Sequence, residues 1–162
     1  MRKKTIEDYV ELIFILQKGK QRVHTSDIAS AFNINPASVT EMFKKLSDED
    51  YISYEKYSGV TLTNKGKQIA IRTKYRHDIL KDLLEILGVD THTADEDACR
   101  MEHTLTKKTF EKLTKFVEFV QHTEGKSRWL DHFKYYDETG EYIECNPENR
   151  EQCPVHGKKM GK

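Results

Sequence analysis

The start of a helix at Asn35-Pro36 is the feature that most constrains how this chain can fold. Asn is favoured as an N-cap, and Pro is favoured at the first helical position, where a missing N–H costs nothing. Apolar residues then recur at helical spacing, at Val39, Met42, Phe43 and Leu46. Thr25 or Ser26 can cap a short helix just before the tight turn at 33–35. Two helices joined by so brief a turn are typical of a helix-turn-helix.

Two short strands are predicted directly after these helices. Apolar and polar residues alternate over 51–55 and over 59–62, and the residues between them have turn composition. Thr63 then caps a long helix that runs to about Leu87, and residues 5–18 form an earlier helix that is apolar nearly all round. This order of elements predicts a winged helix-turn-helix over residues 1–72. The alternative is a small helical domain whose hairpin binds protein.

A helix-turn-helix inserts the start of its second helix into the major groove, while the hairpin tip reaches phosphate or sugar. The candidate DNA contacts are therefore Asn35, Pro36, Ala37, Ser38, Thr40, Glu41, Lys44, Lys56 and Tyr57. The net charge is zero, yet residues 1–76 hold 14 Lys and Arg against 9 Asp and Glu, which suits a polyanionic partner. Glu41 either accepts a hydrogen bond from a cytosine amine or repels phosphate.

A second informative stretch is Cys99-Arg100-Met101-Glu102-His103. If residues 94–105 are helical, the thiol, carboxylate and imidazole at i, i+3 and i+4 project from one face and could grip a metal ion. Three donors do not complete a transition-metal shell, so other parts of the chain would have to contribute. The alternative for Cys99 is a buried small apolar residue.

Further donors are available on two other predicted helices. Asp8 and Glu11 share a stripe of the first helix with Leu12 and Ile15, and His77 lies on the long helix. Carboxylates on an apolar stripe are costly unless they are paired or bind metal. The alternative is that both acids simply lie near an exposed helix start, where the helix dipole favours them.

The second half of the chain is predicted to be helical as far as residue 140. Thr106 caps a helix with an apolar stripe, and a short aromatic helix around Trp129 is expected to pack on it. The polar tail, residues 141–162, contains Cys145, Cys153 and His156. These could hold zinc, although a fourth ligand is missing, or the tail could be flexible.

Composition limits the class of protein. The chain has only three cysteines, and an odd number cannot all form pairs, so a secreted disulfide scaffold is not indicated. The sequence contains no run of about 18 apolar residues and no signal-peptide pattern, so neither a membrane nor secretion is indicated. We expect a cytoplasmic protein.

The runs Asn35-Pro36-Ala37-Ser38-Val39-Thr40-Glu41-Met42, Tyr54-Glu55-Lys56-Tyr57, Leu62-Thr63-Asn64-Lys65-Gly66-Lys67 and Tyr75-Arg76-His77 carry a family resemblance. Over residues 5–122 the chain resembles the diphtheria toxin repressor family, most closely its manganese transport regulator branch. The resemblance implies a homodimer that binds palindromic operator DNA when loaded with metal, and represses metal-uptake genes. It also implies a helical metal-binding and dimerisation domain over residues 73–140, without the SH3-like domain of iron-branch relatives.

The resemblance implies a ligand set of Asp8, Glu11, His77, Glu102 and His103, with position 99 as a departure. The manganese branch has a carboxylate at that position, whereas Cys99 is typical of the iron branch. Lys81 and Asp95 stand where the iron branch has the acid and histidine of an ancillary site. A thiolate favours Fe²⁺, Co²⁺ and Zn²⁺ over Mn²⁺. We therefore expect Fe²⁺ first and Mn²⁺ second, with Zn²⁺ or Co²⁺ binding in vitro.

Two other classes of protein compete with this interpretation. An enzyme could use Cys99 and His103 as nucleophile and base, but adjacent helical turns offer no oxyanion hole, so we predict no enzyme and no small-molecule substrate. A metal-storage or interaction protein would explain the donors but would leave the winged helix without a role.

Overall fold

The structure is a computed structural model that describes residues 3–55, 57–122, 128–143, 153 and 155. These residues form seven helices and one hairpin, in the order α1 (Lys3–Leu16), α2 (Thr25–Phe32), α3 (Pro36–Asp48), β1 (Ile52–Glu55), β2 (Gly59–Leu62), α4 (Asn64–Ile86), α5 (Thr91–Met101), α6 (Lys107–His122) and α7 (Arg128–Thr139). The mostly helical fold and the winged helix-turn-helix predicted from the sequence are confirmed.

The first three helices and the hairpin form a winged-helix unit around one apolar core. The strands pair antiparallel, with Ile52 opposite Leu62 and Tyr54 opposite Val60. The innermost side chains come from every element of the unit and are Val10, Ile13, Ile28, Val39, Phe43, Leu46, Ile52 and Val60. Burial of this set supplies most of the driving force for folding the unit.

The ends of these elements follow local hydrogen bonds. Asn35 caps α3 as predicted, since its side chain accepts a 2.8 Å hydrogen bond from the Ala37 N–H. The predicted cap of α2 was wrong: His24 is the N-cap, and Asp27 accepts from the His24 N–H at 2.7 Å. α1 begins and ends two residues earlier than the predicted span of 5–18.

The long helix α4 connects the winged-helix unit to the rest of the molecule. Thr63 caps it as predicted and accepts a 3.1 Å hydrogen bond from the Gly66 N–H. Gly66 packs closely against Tyr51, the residue just before β1. A Cβ at position 66 would overlap the Tyr51 carbonyl oxygen. Further along, α4 packs against α1, α5 and α6. One helix therefore contacts both the hairpin side and the helical second half.

The second half has a much smaller apolar cluster. Ile79 and Leu83 of α4 pack against Phe110 and Val117 of α6. The aromatic helix α7 touches α6 through Trp129, whose ring centroid lies 6.0 Å from that of Phe116. Within the described ranges, no helix combines the length and apolar character needed to cross a membrane.

Candidate metal centre and nucleic-acid interface

Glu102 is the most unusual side chain of the second half, because it is a carboxylate with almost no solvent exposure (2 %). It caps the C-terminus of α5, which ends at Met101. The helix thus begins three residues before the predicted span of 94–105 and ends four residues before its end. Glu102 still has helical backbone angles, and its N–H donates to the Ala98 carbonyl, whereas His103 follows the helix. Arg76 of α4 fixes this segment by donating 2.8 Å hydrogen bonds to the carbonyls of Glu102 and Leu105.

Three predicted donors from three separate segments meet at Glu102. Ligand atoms of Glu11 from α1, His77 from α4 and Glu102 all lie within 4.8 Å of one another. His77 Nδ1 is 3.3 Å from Glu102 Oε2. The 3.3 Å separation is close to that of neighbouring donors around one metal ion, since metal–ligand bonds of about 2.0–2.2 Å place such atoms roughly 3 Å apart.

The other oxygen of Glu102 faces a second imidazole. His103 Nε2 lies 3.1 Å from Glu102 Oε1 and 2.8 Å from Asp8 Oδ1. The opposite ring nitrogen, Nδ1, is 3.0 Å from Glu7 Oε2. Glu7 is itself buried and pairs with Arg72 at 3.6 Å. The Glu7 contact thus orients His103 so that Nε2 points at Asp8 and Glu102.

Among the described residues, both Glu102 carboxylate oxygens and His103 Nε2 are buried polar atoms without an aligned hydrogen bond. These atoms and those of Asp8, Glu11 and His77 lie around one space, and we call the five residues the Glu102 cluster. A buried carboxylate in this condition is costly. A divalent cation in that space would satisfy these atoms, so the residues fit a metal ion.

The protonation equilibria of the cluster point the same way. Burial, with the nearby Glu102 carboxylate, raises the pKa of Glu11 to about 7. Burial also raises the pKa of Asp8. The adjacent Glu102 carboxylate raises the pKa of His77 against the opposing effect of burial. Proton binding at these groups therefore competes with metal binding more strongly than it would at their ordinary pKa values.

Cys99 lies at the edge of this cluster. It lines a cleft of about 430 Å³ together with Asp8, Glu11, His77 and Asp95. Its side chain is exposed, unlike that of Glu102, and burial on one side together with the Glu102 and Asp8 carboxylates raises the pKa of its thiol. The structure thus places Cys99 in the same cleft but outside the closest group of donors.

Asp95 contacts the cluster from α5. Its Oδ1 accepts a 2.7 Å hydrogen bond from Lys81 and lies 3.3 Å from His77 Nε2. The Lys81 ammonium, with help from His77, lowers the pKa of Asp95. At this flank of the cleft, a lysine of the chain supplies the positive charge that the carboxylate needs.

Sequence reasoning missed the supporting roles of Glu7 and Arg76. Glu7 is separated from His103 by 96 positions, so no local pattern connects the two. A usable signal does exist, because Glu7 falls on the same helical stripe as the buried Val10. An acid on a buried stripe needs a partner.

The nucleic-acid interface predicted on α3 is open to solvent in this structure. Exposed positions on and before the first turns of α3 are Asn35, Pro36, Ala37, Ser38, Glu41 and Lys44. Thr40 is half-buried, and its hydroxyl donates to the Pro36 carbonyl at 3.0 Å. Tyr57 at the hairpin tip is 88 % exposed and has a φ of 71°, in the left-handed region. Lys56 lies outside the described residues.

Of the three predicted zinc donors in the tail, the structure describes one. Cys153 is described and buried, and its Sγ lies 3.6 Å from His132 Nε2. Cys145 and His156 lie outside the described residues. His132 had no recognisable ligand pattern in the sequence.

Comparison with known proteins identifies the family. Residues 1–60 match the family model described as the iron dependent repressor, N-terminal DNA binding domain. Residues 63–130 match the iron dependent repressor, metal binding and dimerisation domain. An HTH-type transcriptional regulator MntR from Geobacillus thermodenitrificans is 37 % identical over 137 residues, covering 85 % of this chain and 97 % of that protein.

Two solved structures share the fold. The manganese regulator SloR superposes with a TM-score of 0.62 at 30 % identity, over 70 % of this chain. A manganese-dependent transcriptional repressor in complex with manganese superposes with a TM-score of 0.65 at 22 % identity, also over 70 % of this chain. The chain spans about half the length of each, at 54 % and 53 % respectively. These matches establish that the chain belongs to the iron-dependent repressor family, that of the diphtheria toxin repressor near its manganese branch, and is a metal-dependent transcriptional regulator and not an enzyme.

Proposed function

We propose that this protein is a cytoplasmic repressor that binds palindromic operator DNA as a homodimer when Fe²⁺ or Mn²⁺ occupies the Glu102 cluster, and so controls genes of metal homeostasis. The observation that carries the proposal is the buried Glu102 carboxylate, whose unsatisfied oxygens face donors from α1 and α4. The ligands would be Asp8, Glu11, His77, Cys99, Glu102 and His103.

The arrangement explains how metal would act on DNA binding. Asp8 and Glu11 belong to α1 of the winged-helix unit, whereas Glu102 and His103 follow α5. A metal ion between them ties the unit to the helical second half and restrains its orientation. Ordering the unit in advance removes part of the entropic cost of binding an operator. The cation also neutralises carboxylates that would repel one another and DNA.

The contrast between Cys99 and the carboxylates bears on metal choice. Thiolate binds Fe²⁺ more strongly than Mn²⁺, whereas carboxylates suit both ions. This chain offers the Cys99 thiol in the same cleft as Asp8, Glu11 and His77. We propose Fe²⁺ as the first choice and Mn²⁺ as the second.

The test is a DNA-binding titration under anaerobic conditions, using duplexes selected from a random pool by the metal-loaded protein. Fe²⁺ and Mn²⁺ should increase affinity for the selected duplex at least tenfold over the chelator-treated protein. Glu102→Ala and His103→Ala should lose this increase and keep their weak affinity for random DNA. Exposed His92, which lies 4.0 Å from Glu96, provides a matched control in His92→Ala. Equal binding with and without metal would disprove the proposed switch.

A second arm addresses the thiol. Cys99→Glu should favour Mn²⁺, so the ratio of the affinity for Mn²⁺ to the affinity for Fe²⁺ should rise at least tenfold. If the ratio stays the same, Cys99 is not a ligand. Co²⁺ and Zn²⁺ complete the series and define how far selectivity follows donor softness.

The proposed DNA surface has its own test. Lys44 is exposed on α3, so Lys44→Ala should weaken binding to all duplexes and reduce the slope of log K against log salt by about one unit. Ser38→Ala should instead relax preference at single positions of the operator. Variants that leave both the salt slope and the sequence preference unchanged would place the interface elsewhere.

A further inference from the structure

We propose that His132 and Cys153 are ligands of a structural zinc ion, separate from the Glu102 cluster, that anchors the C-terminal segment to α7. Neither residue takes part in the proposed regulatory function, and the inference does not depend on it. His132 lies in the middle of α7, and Cys153 follows 21 positions later.

The geometry of this pair fits zinc. Cys153 Sγ lies 3.6 Å from His132 Nε2. Zn–S and Zn–N bonds of about 2.3 and 2.0–2.1 Å, at the tetrahedral angle, place sulfur and nitrogen about 3.6 Å apart. The Cys153 side chain is almost completely buried (4 % exposed), so solvent has little access to the sulfur. A thiolate and an imidazole are also the donors that structural zinc prefers.

The imidazole of His132 lies beside a partly open cavity with mostly apolar walls. His132 lines a cavity of about 330 Å³ whose other walls include Trp129, Phe133 and Ile143. Cys153 comes back to this helix from the end of the chain, although the intervening sequence is polar. A metal ion bound to both side chains would account for a buried thiol at this distance from an imidazole.

The sequence offers two more soft donors beside Cys153. Cys145 precedes it by eight positions and His156 follows by three. Both lie outside the described residues. The experiment below therefore tests each of them separately as a further donor.

The experiment measures zinc in the full chain carrying Glu102→Ala, so that the regulatory site contributes no metal. Protein produced with added zinc, kept reduced and dialysed against a mild chelator should retain about one zinc ion per chain. Cys153→Ser and His132→Ala should each lower this content at least tenfold. Cys145→Ser and His156→Ala test the remaining donors in the same way.

Matched controls use residues of the same type. Cys99→Ser removes another thiol, and His122→Ala removes an exposed imidazole of α6 whose Nδ1 lies 2.8 Å from the Glu118 carbonyl. Both should retain zinc. Replacing zinc with Co²⁺ should produce a thiolate charge-transfer absorption that Cys153→Ser loses, and circular dichroism should show that this variant keeps its helices.

Three outcomes would overturn the proposal. One is a reduced wild-type chain that holds no zinc after dialysis. Another is undiminished zinc in both Cys153→Ser and His132→Ala, which would leave the 3.6 Å contact as a simple thiol–imidazole hydrogen bond. The last is equal loss of zinc from Cys99→Ser, which would assign the metal to the other cleft.

Discussion

The winged-helix unit and the helical second half are held together by different kinds of interior. In the part of the chain that the structure describes, thirteen buried apolar residues form one cluster in and around the winged-helix unit, whereas the second half has a cluster of four. Where α1, α4 and the end of α5 meet, the interior contains carboxylates and imidazoles instead. Apolar burial stabilises without any partner, while buried charge stabilises only when it is compensated.

The difference separates a part whose stability should not depend on a bound ion from a part whose stability should. The winged-helix core should keep its shape whether or not metal is present. The Glu102 cluster should change its contribution to stability when a cation or a proton binds. A regulator needs both, because the DNA-binding surface has to be constant while its orientation is adjustable.

The largest expected effect concerns the apolar core. Phe43 is fully buried, so Phe43→Ala should reduce the free energy of unfolding by about 3–5 kcal/mol. The loss, measured by denaturant titration, should be the same with chelator and with Mn²⁺. Tyr142→Ala, at a side chain that is 84 % exposed, should change stability by less than about 0.5 kcal/mol. A loss that disappears with Mn²⁺ would contradict the separation of the two interiors.

Metal should stabilise the wild-type chain through the Glu102 cluster. At a metal concentration about 100 times Kd, the free energy of unfolding should rise by about 2.7 kcal/mol. Glu102→Ala should abolish this rise, because it removes the carboxylate that faces both imidazoles. Glu111→Ala, an exposed acid that pairs with Lys107 at 3.8 Å, serves as the control. An equal rise in Glu102→Ala would place the stabilising metal elsewhere.

Glu7→Gln tests whether Glu7 supports metal binding by orienting His103. Loss of its charge-assisted contact with His103 Nδ1 should lower metal affinity about 10–100-fold. DNA affinity at saturating metal should be nearly unchanged, because the ligands themselves remain. Isothermal titration with Mn²⁺ measures the first quantity and fluorescence anisotropy the second. A purely structural role would instead lower DNA affinity at all metal concentrations.

The smallest effect is the pH dependence of the cluster. The pKa of Glu11 is about 7 in the fold against 4.5 ordinarily, so its protonation stabilises the metal-free protein at low pH. That contribution is complete below 4.5 and lost as pH rises through about 7. Metal binding must release the proton, so metal affinity should fall by about tenfold per unit as pH drops below 7.

These two dependences have opposite signs, which makes them easy to separate. Between pH 5 and 7, the metal-free chain should lose stability while the affinity for Mn²⁺ increases. Glu11→Gln should flatten both curves. If the metal-free chain gained stability over this range, the assignment of a raised Glu11 pKa would be wrong.

The elements of the winged-helix unit were predictable because each is specified by neighbouring residues. Asn35 and Pro36 define the start of α3, and Thr63 defines the start of α4. The cap of α2 was missed because Thr25 and Ser26 are better capping residues than His24 by preference. In the structure, the Asp27 carboxylate accepts a hydrogen bond from the His24 N–H, and this contact makes His24 the N-cap of α2.

The side chains proposed as ligands were named from the sequence, but their arrangement was not predictable. Helical spacing predicted Cys99 and Glu102 on one face, but it could not predict that the carboxylate is buried and the thiol exposed. The contacts between Glu7 and His103 and between His132 and Cys153 join distant positions. Only the three-dimensional path of the chain brings such pairs together.

The close contact between Gly66 and the Tyr51 carbonyl has a consequence for the size of the metal response. It leaves little room for α4 to slide past the chain leading into the hairpin, so the two should move together. His77 lies eleven residues further along the same helix, which corresponds to about 16 Å at 1.5 Å per residue. A tilt of only about 5° at His77 would displace the Gly66 end by about 1.4 Å. A small tilt of α4 at the Glu102 cluster should therefore be passed on to the hairpin.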